Sequence, residues 1–119
     1  MRGRIERELG DQPAIQATLM DTMGTVYTSL GLYEPAVRLV RDAHAKRRGL
    51  FAVQHPQVVS SLEHLGEVLM NKGEYAESES SLRSALEVQR VARGDRSPEV
   101  ARALMLLADV LSRQGRYED

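Results

Sequence analysis

From Pro56 onward the apolar residues Val58, Val59, Leu62, Leu65, Val68 and Leu69 fall at steps of three and four, the period of an amphipathic helix. The pattern returns after Pro98 with Val100, Ala101, Leu104, Leu107, Ala108 and Leu111. A second kind of helix carries Val37, Val40 and Ala43, or Leu82, Ala85 and Val88, on one side. On its other side Glu79, Arg83 and Glu87 alternate in sign at steps of four, as a solvated helix face does. Punctuation agrees with this division. Pro13, Pro56 and Pro98 suit the first helical turn, with His55 or Ser97 just ahead, and Ser97 is a good N-cap. Gly31, Gly73 and Gly115 suit the left-handed position that ends a helix. The second helices fade over residues 49–53 and at Gly94 and Asp95.

These elements repeat. Tyr33, Tyr75 and Tyr117 are 42 residues apart, as are Gly31, Gly73 and Gly115, and Gly24, Gly66 and Ala108. Met20, Leu62 and Leu104 keep the same interval, as do Met23, Leu65 and Leu107, and Val26, Val68 and Val110. Agreement of so many columns predicts a stacked repeat array. Gly24, Gly66 and Ala108 stand mid-helix, where Gly costs up to ~1 kcal/mol against Ala. Their place is explained if a second helix, with small residues at Ala36, Ala43, Ser78 and Ala85, approaches closely. The expected division is a single domain over 1–119. Residues 1–11 close a preceding helix, 12–54 form the first unit and 55–96 the second, and 97–119 begin a third that is cut off within its second helix.

The spacing Gly66, Gly73, Tyr75, Ser78, Ala85, matched by Gly24, Gly31, Tyr33, Ala36, Ala43, resembles the tetratricopeptide repeat. The ordinary unit has about 34 residues. The longer unit here, with its His55-Pro56-Gln57-Val58 segment and its Gly-Glu-Tyr-Ala run at 73–76, is similar to the kinesin-light-chain type. The resemblance implies an all-α fold, a right-handed superhelix of antiparallel helix pairs with about two and a half units. It also implies a non-catalytic scaffold that binds a protein or peptide on a concave face lined by the first helices. Carried over by position, that groove comprises Thr18, Asp21, Thr25 and Thr28, then Ser60, Glu63, His64, Glu67 and Met70, then Arg102, Met105 and Asp109. Asp21, Glu63, Glu67 and Asp109 outnumber Arg102 there, which predicts an acidic face. The segment from Arg4 to Gly31 also resembles the repeat block behind bacterial serine/threonine kinase domains, so the alternative is a regulatory module appended to such an enzyme.

Composition narrows the chemistry. Sixteen Lys and Arg against 17 Asp and Glu give a net charge of −1, which does not recommend nucleic acid or an acidic membrane as partner. Cys is absent, so disulfides, Cys-ligated zinc and a thiol nucleophile are excluded. No apolar run reaches the ~18 residues of a membrane span and no signal peptide opens the chain, so a cytoplasmic location is expected. His44, His55 and His64 are separated by 11 and 9 residues, not the spacing of metal ligands on a helix, and no cofactor motif is present. Arg38, Arg41 and Arg48, with Lys46 and Arg47 beside them, form a basic stripe that reads as a solvated outer face. The helix from Pro98 is apolar nearly all round, which predicts self-association through Leu104, Met105, Leu106 and Leu111, a homodimer through the open C-terminal end.

Overall fold

The computed structural model describes the backbone of residues 2–115 and the side chains of residues 12–115. Five helices follow one another: α1 (Arg2–Ser29), α2 (Tyr33–Leu50), α3 (Pro56–Lys72), α4 (Tyr75–Arg93) and α5 (Pro98–Arg113). Consecutive helices pack together, and α3 also touches α5. The fold is an array of antiparallel helix pairs, α1 with α2 and α3 with α4, followed by α5. The second helix expected to begin near Tyr117 lies outside the described residues. Among the described residues no helix is long and apolar enough to cross a membrane.

Helix boundaries follow from local chemistry. The His55 ring accepts a hydrogen bond at Nδ1 from the Gln57 N–H at 3.1 Å, and Ser97 Oγ accepts from the Val100 N–H at 3.1 Å. Each satisfies a donor that the helix start leaves unpaired, with proline as the next residue. At the far end of α3, Gly73 takes φ 93°, and the Glu74 N–H reaches back to the Leu69 carbonyl at 2.9 Å. This reversal needs a residue without Cβ.

One expected boundary is different. The helix expected to close over residues 1–11 is not separate from the first unit: α1 is a single helix of 28 residues with Pro13 inside it. Pro13 has no N–H, so the bond back to the carbonyl four residues earlier is missing, and the helix continues on the bonds either side.

Glycine sets the spacing within each pair. A Cβ built on Gly66 would lie 2.6 Å from Cγ and Cδ2 of Leu82, and one on Gly24 would lie 2.5 Å from Cγ2 of Val40. Both are closer than real carbon contacts allow. The Ser78 hydroxyl donates to the Gly66 carbonyl at 2.6 Å, a bond available only because the backbones come so near. Ala36, Val37 and Val40 of α2 meet Leu65, Val68 and Leu69 of α3 in one core cluster. Leu82 and Leu86 of α4 meet Val100, Ala103, Leu107 and Val110 of α5 in the other, with Tyr75 and Met70 alongside. Each second helix is therefore packed on both sides.

Register predicts the response to added volume. Gly66→Leu should overpack the α3–α4 contact and cost about 1–3 kcal/mol. Ala108, the equivalent position on α5, is exposed, so Ala108→Leu should stay within about 0.5 kcal/mol of the parent, as should Glu77→Ala. Chemical denaturation of the three variants checks this ordering.

Candidate partner-binding groove

The first helices α1, α3 and α5 are joined side by side by polar side chains that cross from unit to unit. Asp21 on α1 accepts from His64 on α3, Oδ1 to Nδ1 2.6 Å, and its other oxygen accepts from Arg47 at 3.3 Å. His64 Nε2 lies 3.4 Å from the Thr25 hydroxyl. One unit later, Glu63 on α3 accepts from Arg102 Nε on α5 at 3.2 Å, and Glu67 pairs with the same guanidinium at 3.8 Å. Asn71 of α3 accepts from Arg113 of α5 at 3.4 Å. Asp21, Glu63 and Met105 occupy one register position, so two acids make this inter-unit clasp and a thioether takes the third place.

The remaining expected groove residues divide. The hydroxyls of Thr18, Thr25 and Thr28 donate to the carbonyls of Ala14, Asp21 and Gly24 within α1, so their protons are committed. Ser60 is exposed. Asp109 pairs with Arg113 at 3.2 Å on its own helix. Met70 does not belong to the surface. At 3% exposure it packs against the α4–α5 core, because α5 covers the side of α3 from which it projects. The acidic character expected of this face is offset in the same way: Asp21, Glu63 and Asp109 are each held by a cationic side chain of the chain itself.

Arg47 joins this cluster in place of the solvated outer face expected for it. It is buried at the Asp21 carboxylate rather than solvated beside Arg38 and Arg41, and Arg41 in turn pairs with Glu77 at 2.7 Å. Its register mate Gln89 is buried as well, which the polar type of neither residue signals in the sequence. His44 is half-buried, with Nδ1 3.0 Å from the Ser61 hydroxyl across the α2–α3 boundary. Burial, with Arg48 and Arg47 nearby, lowers its pKa. Among the described residues no three His, Asp or Glu side chains lie together as a metal site would require.

The two clasp acids titrate in opposite directions. Burial alone would raise Asp21, but the hydrogen bond and charge of His64, followed by Arg47, outweigh it and hold the carboxyl below its ordinary 3.8. For Glu63, burial prevails over the attraction of Arg102 and, helped by Glu67, lifts it above its ordinary 4.5. Its Oε2 atom has no hydrogen-bond partner among the described residues. A lowered carboxyl stabilises the fold above its unfolded pKa and loses that contribution as pH falls through the folded value. A raised one costs stability as pH climbs through its folded value. Asp21→Asn should therefore destabilise the protein at neutral pH by about 1–3 kcal/mol, with the gap closing below the ordinary carboxylate range. Glu63→Gln should be neutral or stabilising at pH 7 and indistinguishable from the parent in acid. Urea denaturation over a pH series checks both signs.

Comparison with known families agrees with the helix pairing and the 42-residue register. One tetratricopeptide-repeat profile matches residues 16–57 and another matches residues 57–119. No protein with a curated description matches the chain. With one profile spanning more than half of its length and the pair covering residues 16–119, the chain belongs to the tetratricopeptide-repeat family.

Proposed function

We propose that the chain is a non-catalytic scaffold that takes a peptide or a partner's helix along the face of α1, α3 and α5, with its main anchor between α3 and α5. Tetratricopeptide repeats mediate protein–protein interaction, and the observation that supports the finer reading is a groove of about 560 Å³ lined by Glu67, Pro98, Ala101, Arg102, Met105 and Leu106. Met105 is 72% exposed there although its register mates Asp21 and Glu63 are engaged in ion pairs. Arg102, clasped on one side by Glu63 and Glu67, is still largely open to solvent on the other. An apolar floor beside one guanidinium and one carboxylate suits an amphipathic segment, its apolar side chain on Met105 and Leu106 and its polar groups on Arg102 and Glu67.

Self-association through α5 has narrower support. Leu104 is 44% exposed and adjoins Met105 in sequence, but Leu106 and Leu111 are half-buried against the α4–α5 core. Successive helical residues point about 100° apart, so Leu104 and Met105 do not make a stripe.

Peptide-array selection followed by titration calorimetry tests the groove. Met105→Asp and Arg102→Ala should each weaken the selected peptides about tenfold or more, some 1.4 kcal/mol. Arg83→Ala, on the outer face of α4, should leave binding unchanged. Equal affinity for all three variants would overturn the assignment.

A further inference from the structure

The junction of α3 with α5 is short of a cation that the junction of α1 with α3 possesses. Asp21 is satisfied on both oxygens, by His64 of α3 and by Arg47, which reaches across from α2. One repeat further on, these three positions are Glu63, Leu106 and Gln89. The acid is kept, and both of its basic partners are replaced by uncharged side chains. Arg102 comes to Glu63 from another position, whose mate in the earlier unit is Ser60, and it engages only Oε1. Glu63 Oε2, on a side chain 5% exposed, is left without a hydrogen-bond partner among the described residues. Glu67 has only the same guanidinium among the described residues, at 3.8 Å and beyond hydrogen-bond reach. Two carboxylates thus share one cation, and one negative charge stays unmatched. Asp21 and Asp109, the other acids expected on this face, are matched within the chain.

We propose that the groove selects partner segments with a lysine or arginine beside an apolar side chain, the cation lodging on Glu67 and supplying the positive charge that this junction lacks. Such selection presupposes the groove described above and adds the chemistry of its occupant. Glu67 lines that groove together with Pro98, Ala101, Met105 and Leu106, so its carboxylate stands at the edge of an apolar floor. With 39% of its side chain exposed, it is open to a ligand. A basic side chain suits both parts, its methylene stem on the floor and its charged head at the carboxylate. An acidic side chain in the same place would meet Glu67 and Glu63 as like charges, which selects against it. That repulsion is already felt within the chain, where Glu67 is one of the causes that raise the Glu63 carboxyl. Arg102 does not reverse the preference. Its Nε is committed to Glu63, and its open edge is a donor that suits a main-chain carbonyl, which leaves Glu67 to read the side chain.

The probe is a set of fluorescent helical peptides on an alanine–glutamine background. Each carries one leucine and, three or four residues away on the same face, a lysine, arginine, glutamine or glutamate. In anisotropy titrations the lysine and arginine members should bind about fivefold tighter than the glutamine member, with the glutamate member weakest. Glu67→Gln should bring the lysine and glutamine members within about twofold of each other. Glu67→Lys should invert the order, so that the glutamate member binds best. A mere change of fold does not produce an inversion, and circular dichroism checks that the helices are retained. Should Glu67→Lys fail to fold, the peptide series and Glu67→Gln decide. Met105→Ala, which removes floor and not charge, should weaken every member alike. Binding that is lost in Met105→Ala but is indifferent to the variable residue overturns the charge selection and leaves the groove standing, as does a preference for the glutamate member. Failure of every peptide to bind overturns both.

Discussion

Two α-helices that meet at a glycine come closer than side chains otherwise permit, and the α3–α4 pair depends on that approach. With a Cβ at position 66 Leu82 could not occupy its site, and with it would go the short bond from Ser78 to the Gly66 carbonyl. Leu82 is wholly buried because it fills the place a larger residue would have taken. Seated there, α4 presents Leu86 to α5, so closeness within one pair fixes how the next unit is received. Gly24 and Val40 do the same one unit earlier. The helical cost of a mid-helix glycine is thus offset by contacts in two interfaces.

This part of the structure was legible in the sequence because packing repeats when spacing repeats. Gly24 and Gly66, the cap Ser97, and the reversals at Gly31 and Gly73 each have a local physical cause that a residue type reveals, whereas the cap from the His55 ring does not follow from residue type. The site was less legible. Which acid meets which cation depends on the offset between neighbouring first helices, and that offset is a property of the stacked pairs. Asp21 reaches a histidine 43 residues on and Glu63 an arginine 39 residues on, so equivalent carboxylates took non-equivalent partners. Arg47 was misread for a related reason. On a helical wheel it sits beside solvated cations, but the end of α2 tucks against α1, and there the long side chain lies inward with its guanidinium on Asp21.

The clasp also explains why the face of the first helices is not simply acidic. Counting carboxylates by position treats each as free, but a carboxylate within reach of a guanidinium or imidazole contributes little net field beyond the pair. What the proposed groove offers is local chemistry: the exposed edge of Arg102, the thioether of Met105, and Glu67. The pairs differ in strength as well. Asp21 has partners on both oxygens, and its charge is favoured. Glu63 has one oxygen paired and one orphaned, and its charge is disfavoured. The two junctions thus differ in how fully each buried carboxylate is matched.

A repeat position has no fixed environment, because burial depends on what stacks next to it. The column of Met23, Leu65 and Leu107 runs from 47% exposed to 5% and 6%, while that of Gly24, Gly66 and Ala108 is buried twice and then exposed. Sequence periodicity equates residues that different neighbours then separate. The outer helices α1 and α5 differ from each other as well. On α5, alanine at the uncovered helix-pairing position and arginine among the leucines break up the apolar surface. On α1 nothing breaks it: Ile15, Leu19, Met23, Val26 and Leu30 continue for four turns with only uncharged neighbours. Apolar surface of that continuity carries a cost in water that scales with its area. The polar ladder of Asp21, Thr25 and Thr28 lies on a different side of the same helix, so α1 holds its own array through one face and keeps the apolar stripe on another.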